Sequence, residues 1–150
     1  MNFMKKIILV LLFFLIFSNK LYAENITEDT TYSSDSSDTQ YVFTVDDKSA
    51  VITNNSTFTR SRKLFISSDA ERIGVSLTIH SGSTITTTTN SNTIFTDGAD
   101  FTITNSGTIN ADTSKAINVS KSDGVSITNN NGGVISSDGN TILGDAGTGA

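Results

Sequence analysis

From Leu77 onward the chain alternates apolar and polar residues in short bursts separated by small polar turns. Leu77-Thr78-Ile79, Phe101-Thr102-Ile103 and Val125-Ser126-Ile127 share one pattern at a spacing of 24 residues. Each burst is followed by a glycine-containing turn and a second pair, Thr84-Ile85, Thr108-Ile109 and Val134-Ile135. The last pair is displaced by two residues because the turn at 129–133 is longer. A third inward position recurs at Ile94, Ile117 and Ile142. An earlier, degenerate copy starts at Ala50-Val51-Ile52, with Phe58 in the place of Ile85. It precedes the next copy by 27 residues, and the excess falls in residues 60–74.

Helical repeats need apolar residues at i, i+3, i+4 and i+7, whereas this region alternates with period two. Leucine-rich repeats share the period but need a fixed leucine framework, which is missing. Short alternating strands closed by Asn and Gly turns at a period of 20–30 residues predict an all-β parallel solenoid. Three strands and three turns use about 24 residues per coil, so residues 41–150 hold about 3–4 coils stacked about 4.8 Å apart. Stacking is expected to place Ile52, Ile79, Ile103 and Ile127 in one buried column and Phe58, Ile85, Ile109 and Ile135 in a second. The Ser and Thr residues between them point outward. One turn position reads Asn54, Ser81, Asn105, Asn129, which predicts a hydrogen-bonded ladder of Asn54, Asn105 and Asn129 with a poor rung at the short Ser81.

The N-terminus follows a different pattern. Lys5 and Lys6 precede an uninterrupted apolar run over residues 7–17, and a polar stretch then leads to Leu21-Tyr22-Ala23. Eleven helical residues reach about 16 Å, roughly half the hydrocarbon thickness of a bilayer. Residues 1–23 therefore read as a cleaved export signal handled by the Sec machinery, with hydrolysis between Ala23 and Glu24. Residues 24–40 contain one aliphatic residue and five acids, which predicts a flexible acidic linker that buries too little surface to offset its ordering entropy.

Removing the signal changes the charge picture. Three of the ten basic residues leave with it, so the mature chain has seven basic against 15 acidic residues, a net charge of −8. That sign disfavours nucleic acid and anionic lipid as partners. There is no cysteine to form a disulfide, take a lipid or hold zinc, and no proline.

The stretches ITNSGTINADTSKAINV (103–119) and ITNNNGGVISSDGNTI (127–142) resemble the repeats of autotransporter passenger domains. In that family an I-x-N-x-G-x-I unit and a following A-I segment recur coil after coil. The resemblance covers residues 50–142 and is periodic and compositional. It implies a right-handed parallel β-helix carried to the cell surface, the outer membrane or the medium by a C-terminal outer-membrane barrel. No barrel strands occur in the sequence, so the chain is expected to begin a longer protein.

Candidate chemistry is sparse. His80 is the only histidine, and it aligns with the outward Thr53, Thr104 and Thr128, which predicts an exposed surface residue. Asp97, Asp100, Asp112, Asp123, Asp138 and Asp145 cluster at turns, where Asp-Gly pairs accommodate left-handed backbone. Arg60, Arg62 and Lys63 form the basic cluster, expected in a solvated loop. No catalytic, cofactor-binding or metal-ligating constellation stands out and no cofactor is expected. The functional expectation is a non-enzymatic adhesive or self-associating passenger whose ligand is a surface glycan or protein. The competing class is a carbohydrate-active β-helix enzyme, which would gather carboxylates in a groove on one face.

Overall fold

The computed structural model describes residues 23–34, 39–67 and 72–144. Apart from Ala23, the expected export signal lies outside them. The described residues form strands and turns with no helix. They wind as a parallel β-solenoid of about four turns.

Successive turns contribute their strands to three sheets. The first sheet stacks β1 (Ala23–Ile26), β3 (Gln40–Phe43), β6 (Phe65–Ser67), β9 (Ile94–Thr96), β12 (Ile117–Val119) and β15 (Ile142–Gly144). The second stacks β2 (Thr30–Tyr32), β4 (Ser49–Ile52), β7 (Ser76–Ile79), β10 (Thr102–Asn105) and β13 (Ser126–Asn129). The third stacks β5 (Thr57–Arg60), β8 (Thr84–Thr87), β11 (Thr108–Ala111) and β14 (Val134–Ser137). Strands of three or four residues suffice because the rest of each coil supplies the crossover that parallel pairing demands.

Alternation decides what is buried. In the third sheet Phe58, Ile85, Ile109 and Ile135 pair in one column, as the spacing predicts. In the first sheet Phe65, Ile94, Ile117 and Ile142 do the same. In the second sheet the expected column breaks. Ile52 faces Ile79, but Ile103 faces Leu77 below and Ile127 above. The residue stacked on Ile79 is Asn105, followed by Asn129. The step from β7 to β10 is therefore 26 residues where the repeat suggested 24. The two-residue shift keeps every side chain on its expected face.

The Asn ladder is correspondingly shorter than expected. Asn105 is fully buried, and its Nδ2 donates to Asn129 Oδ1 at 2.8 Å. Asn54 is exposed at a corner and takes no part, because Ile52 and Ile79 fill the stacked position below Asn105.

Two further expectations are corrected. Part of the segment expected as a flexible linker forms β1 and β2, which pair with β3 and β4. Ile26 and Tyr32 supply the buried side chains that make this favourable, and the Tyr32 hydroxyl donates to Glu24 Oε1 at 3.2 Å. The Tyr32 ring lies 4.2 Å from that of Tyr41, which stacks on Phe65 at 5.3 Å. This aromatic layer gives the N-terminal end of the core its own lid. The second correction concerns Arg60, which is 1 % exposed. Its guanidinium lies 5.4 Å from the Phe58 ring centre, and Nε donates to the Thr39 carbonyl at 3.3 Å. The long side chain thus lies at the end of the third sheet, where no strand lies below β5 among the described residues.

Candidate functional site

The outer face of the second sheet is a two-column array of hydroxyl side chains. One column runs Ser49, Ser76, Thr102, Ser126; the other runs Thr31, Val51, Thr78, Thr104, Thr128. Parallel in-register pairing fixes the spacing at about 4.8 Å between coils and about 6.6 Å between the two columns along each strand. The array exists because β-branched and small polar residues alternate with Ile and Leu, which the core holds inward.

The hydroxyls of Ser76, Thr78, Thr102, Thr104, Ser126 and Thr128 have no hydrogen-bond partner within the described residues. They face solvent or stand half-exposed. Ser49 differs. Its N–H donates to Asp29 Oδ1 at 2.9 Å, and this bond, with that of its hydroxyl, holds the Asp29 carboxyl below its ordinary value. No outward position of β4, β7, β10 or β13 carries a charge or an aromatic ring.

The outer face of the third sheet also carries uncharged hydroxyl residues, Thr57, Thr59, Thr84, Thr86 and Thr108, whereas that of the first sheet is more apolar. On the third sheet Ser136 Oγ donates to Asn110 Oδ1 at 2.8 Å, and Asn110 Nδ2 donates to Asp112 Oδ1 at 2.9 Å, so part of that face satisfies itself. On the first sheet the outward residues include Val42, Phe95 and Leu143, and Lys63 Nζ lies 4.1 Å above the Phe95 ring. Lys63 is thereby half-buried against an aromatic ring, whereas Arg60 closes β5 in the third sheet.

The candidate chemical groups lie at corners. His80 is exposed after β7 and stands over Thr53, as expected, but Thr104 pairs with Thr78 and not with His80. Asp47 and Asp100 have left-handed backbone with φ of 53° each. They alternate with Gly74 and Gly124, also left-handed, up the corner between the first and second sheets. Near this corner Asp97 Oδ1 and Ser122 Oγ are buried with no hydrogen-bond partner among the described residues. Among the described residues no three His, Cys, Asp or Glu side chains gather closely enough to hold a metal ion.

The outward direction of the Ser and Thr residues was legible in the sequence. That the second and third sheets both lack charge at the outward positions of their strands was not, because it depends on which corners the charged residues occupy. Comparison with known proteins finds no matching family model, no matching curated protein and no matching solved structure.

Proposed function

We propose that this chain is an exported, non-enzymatic β-solenoid of the autotransporter-passenger type. In this reading it works at the cell surface or outside the cell, and attaches to a glycan or protein surface, or to copies of itself, through the hydroxyl face of its second sheet. The observation that carries the reading is the array of six unpartnered hydroxyls at fixed spacing on an uncharged face. Each hydroxyl makes a weak contact that competes with water. Repetition on a rigid lattice turns many such contacts into attachment without a single deep pocket. A face of this kind responds little to ionic strength, because it has no ion pairs to screen.

The test uses beads densely coated with the mature chain, scored for clustering with one another and for attachment to surfaces coated with mannan, mucin or fibronectin. The expected result is clustering or attachment that persists at 1 M salt (a Debye length of about 3 Å), needs high coating density, and is lost in the Thr78→Lys/Thr104→Lys variant. Beads that neither cluster nor attach, or that attach equally well with the variant, would overturn the reading.

A further inference from the structure

The export reading places hydrolysis at the Ala23–Glu24 bond, and the structure places that bond inside a strand. Ala23 and Glu24 open β1, opposite Gln40 and Tyr41 of β3. We propose that pairing of β1 with β3 and proteolytic processing at Ala23–Glu24 exclude each other, so that closure of the N-terminal half-turn seals the processing site. The proposal rests on the export-signal reading of residues 1–23.

Hydrolysis adds water across one peptide bond. The hydroxyl joins the Ala23 carbonyl carbon, the proton goes to the Glu24 nitrogen, and the C–N bond between them breaks. A peptidase must hold several residues on both sides of that bond in its own cleft, extended and free of other partners. The residues following the bond are tied to the solenoid. The Glu24 carboxylate accepts from the Tyr32 hydroxyl, and Ile26 is 1 % exposed within the core. The Ile26 carbonyl accepts from the Thr44 N–H at 3.2 Å. Ala23 points outward and is exposed, yet the chain beyond it cannot be lifted into a cleft while Ile26 stays seated. Lifting β1 also uncovers Tyr41, which is 2 % exposed in the folded chain. Access therefore requires local opening of the first half-turn, a sub-global event with its own equilibrium.

The order of events follows. Processing of the extended chain is fast, and a chain that folds first keeps its leader for as long as β1 stays docked.

The experiment uses the full 150-residue chain in detergent with a purified signal peptidase. In one arm the enzyme is present as the chain is diluted from urea, and in the other it is added after folding is complete. Mass spectrometry reads the new amino terminus. The expected result is release of Glu24 in both arms, about tenfold or more slower in the second, which corresponds to an opening constant of about one in ten or less. Ile26→Asp, which ejects β1, brings the second arm close to the first. Amide exchange at Glu24 and Ile26, whose N–H groups face β3, supplies an independent reading in the folded precursor, and protection of both amides is expected. Equal rates in the two arms, or slow cleavage alongside unprotected amides, overturns the proposal. Cleavage at another bond, or none in either arm, overturns the export-signal reading and the proposal with it.

Discussion

Asn105 gives the sharpest test of how the coils are held together. It occupies a core position directly above Ile79, fully buried, where packing alone would favour an aliphatic side chain. Its Oδ1 accepts from the Gly107 N–H at 3.1 Å. Its Nδ2 lies 3.2 Å from the Gly107 carbonyl, 2.8 Å from Asn129 Oδ1 and 3.2 Å from the Val134 carbonyl. One side chain thus satisfies a buried donor in its own corner and links two coils.

Asn105→Leu matches the volume and increases apolar burial, yet it strands the Gly107 N–H in a buried corner. Leaving a buried polar group without a partner costs about 1–3 kcal/mol, and at least two acceptors also lose their donor. The gain from burying the leucine, about 1.5–3 kcal/mol at most, offsets part of this. A net loss of about 1–3 kcal/mol is expected. With a urea m-value of about 2 kcal/mol/M, the unfolding midpoint falls by about 0.5–1.5 M. Asn105→Asp keeps the acceptor for Gly107 but buries a charge facing three oxygens, so at pH 7 it is expected to cost more than Asn105→Leu. Burial raises the folded-state pKa of the introduced carboxylate above its unfolded value of about 3.9. Its penalty is therefore full above the folded pKa and is relieved, relative to the parent, as pH falls towards the unfolded one. Urea unfolding of the parent and both variants at pH 7 and pH 4.5 decides the matter. A leucine variant as stable as the parent, or an aspartate variant indifferent to pH, would show that the corner is held by packing and not by the amide.

The corner glycines give a second test. An alanine Cβ at Gly124 would sit 2.2 Å from Asp100 Oδ1, on backbone with φ of 65°. Gly124→Ala should lower the melting temperature, and adding Asp100→Gly should recover the steric part while leaving about 1–2 kcal/mol of left-handed strain; no recovery in the double variant would refute the contact. Burial, and next the Glu24 carboxylate, push the Tyr32 phenol well above its ordinary value of 10. Its folded pKa exceeds its unfolded one, so its contribution is whole below about pH 10 and fades as pH rises from there towards the folded value. Tyr32→Phe should flatten the alkaline limb of the stability curve between pH 9.5 and 11, and an unchanged limb would assign that slope elsewhere.

Where the sequence succeeded and where it failed comes down to what a period of two can detect. A one-residue slip of any strand would turn Ile85, Ile109 or Ile117 out to solvent, so alternation excludes it. A two-residue slip leaves every residue on its proper face, and alternation is blind to it. That is the slip between Ile79 and Ile103. The matching bursts Leu77-Thr78-Ile79 and Phe101-Thr102-Ile103 invite a 24-residue alignment, but the structure sets Ile103 on Leu77. The register is decided at the corner before the strand, where Ile73 bridges Ala99 and left-handed Gly74 stands beside left-handed Asp100. The corner after the strand absorbs the difference. Eight residues separate the inward Leu77 and Ile85, whereas six separate Ile103 and Ile109. The shorter corner closes because Asn105 folds back on Gly107, where an added Cβ would lie 2.5 Å from the Ser83 carbonyl. The same reasoning explains the lead-in at 24–40. Its average composition resembles a disordered linker, but Ile26 and Tyr32 stand where β1 and β2 turn inward, and two well-placed side chains dock what the average would leave loose.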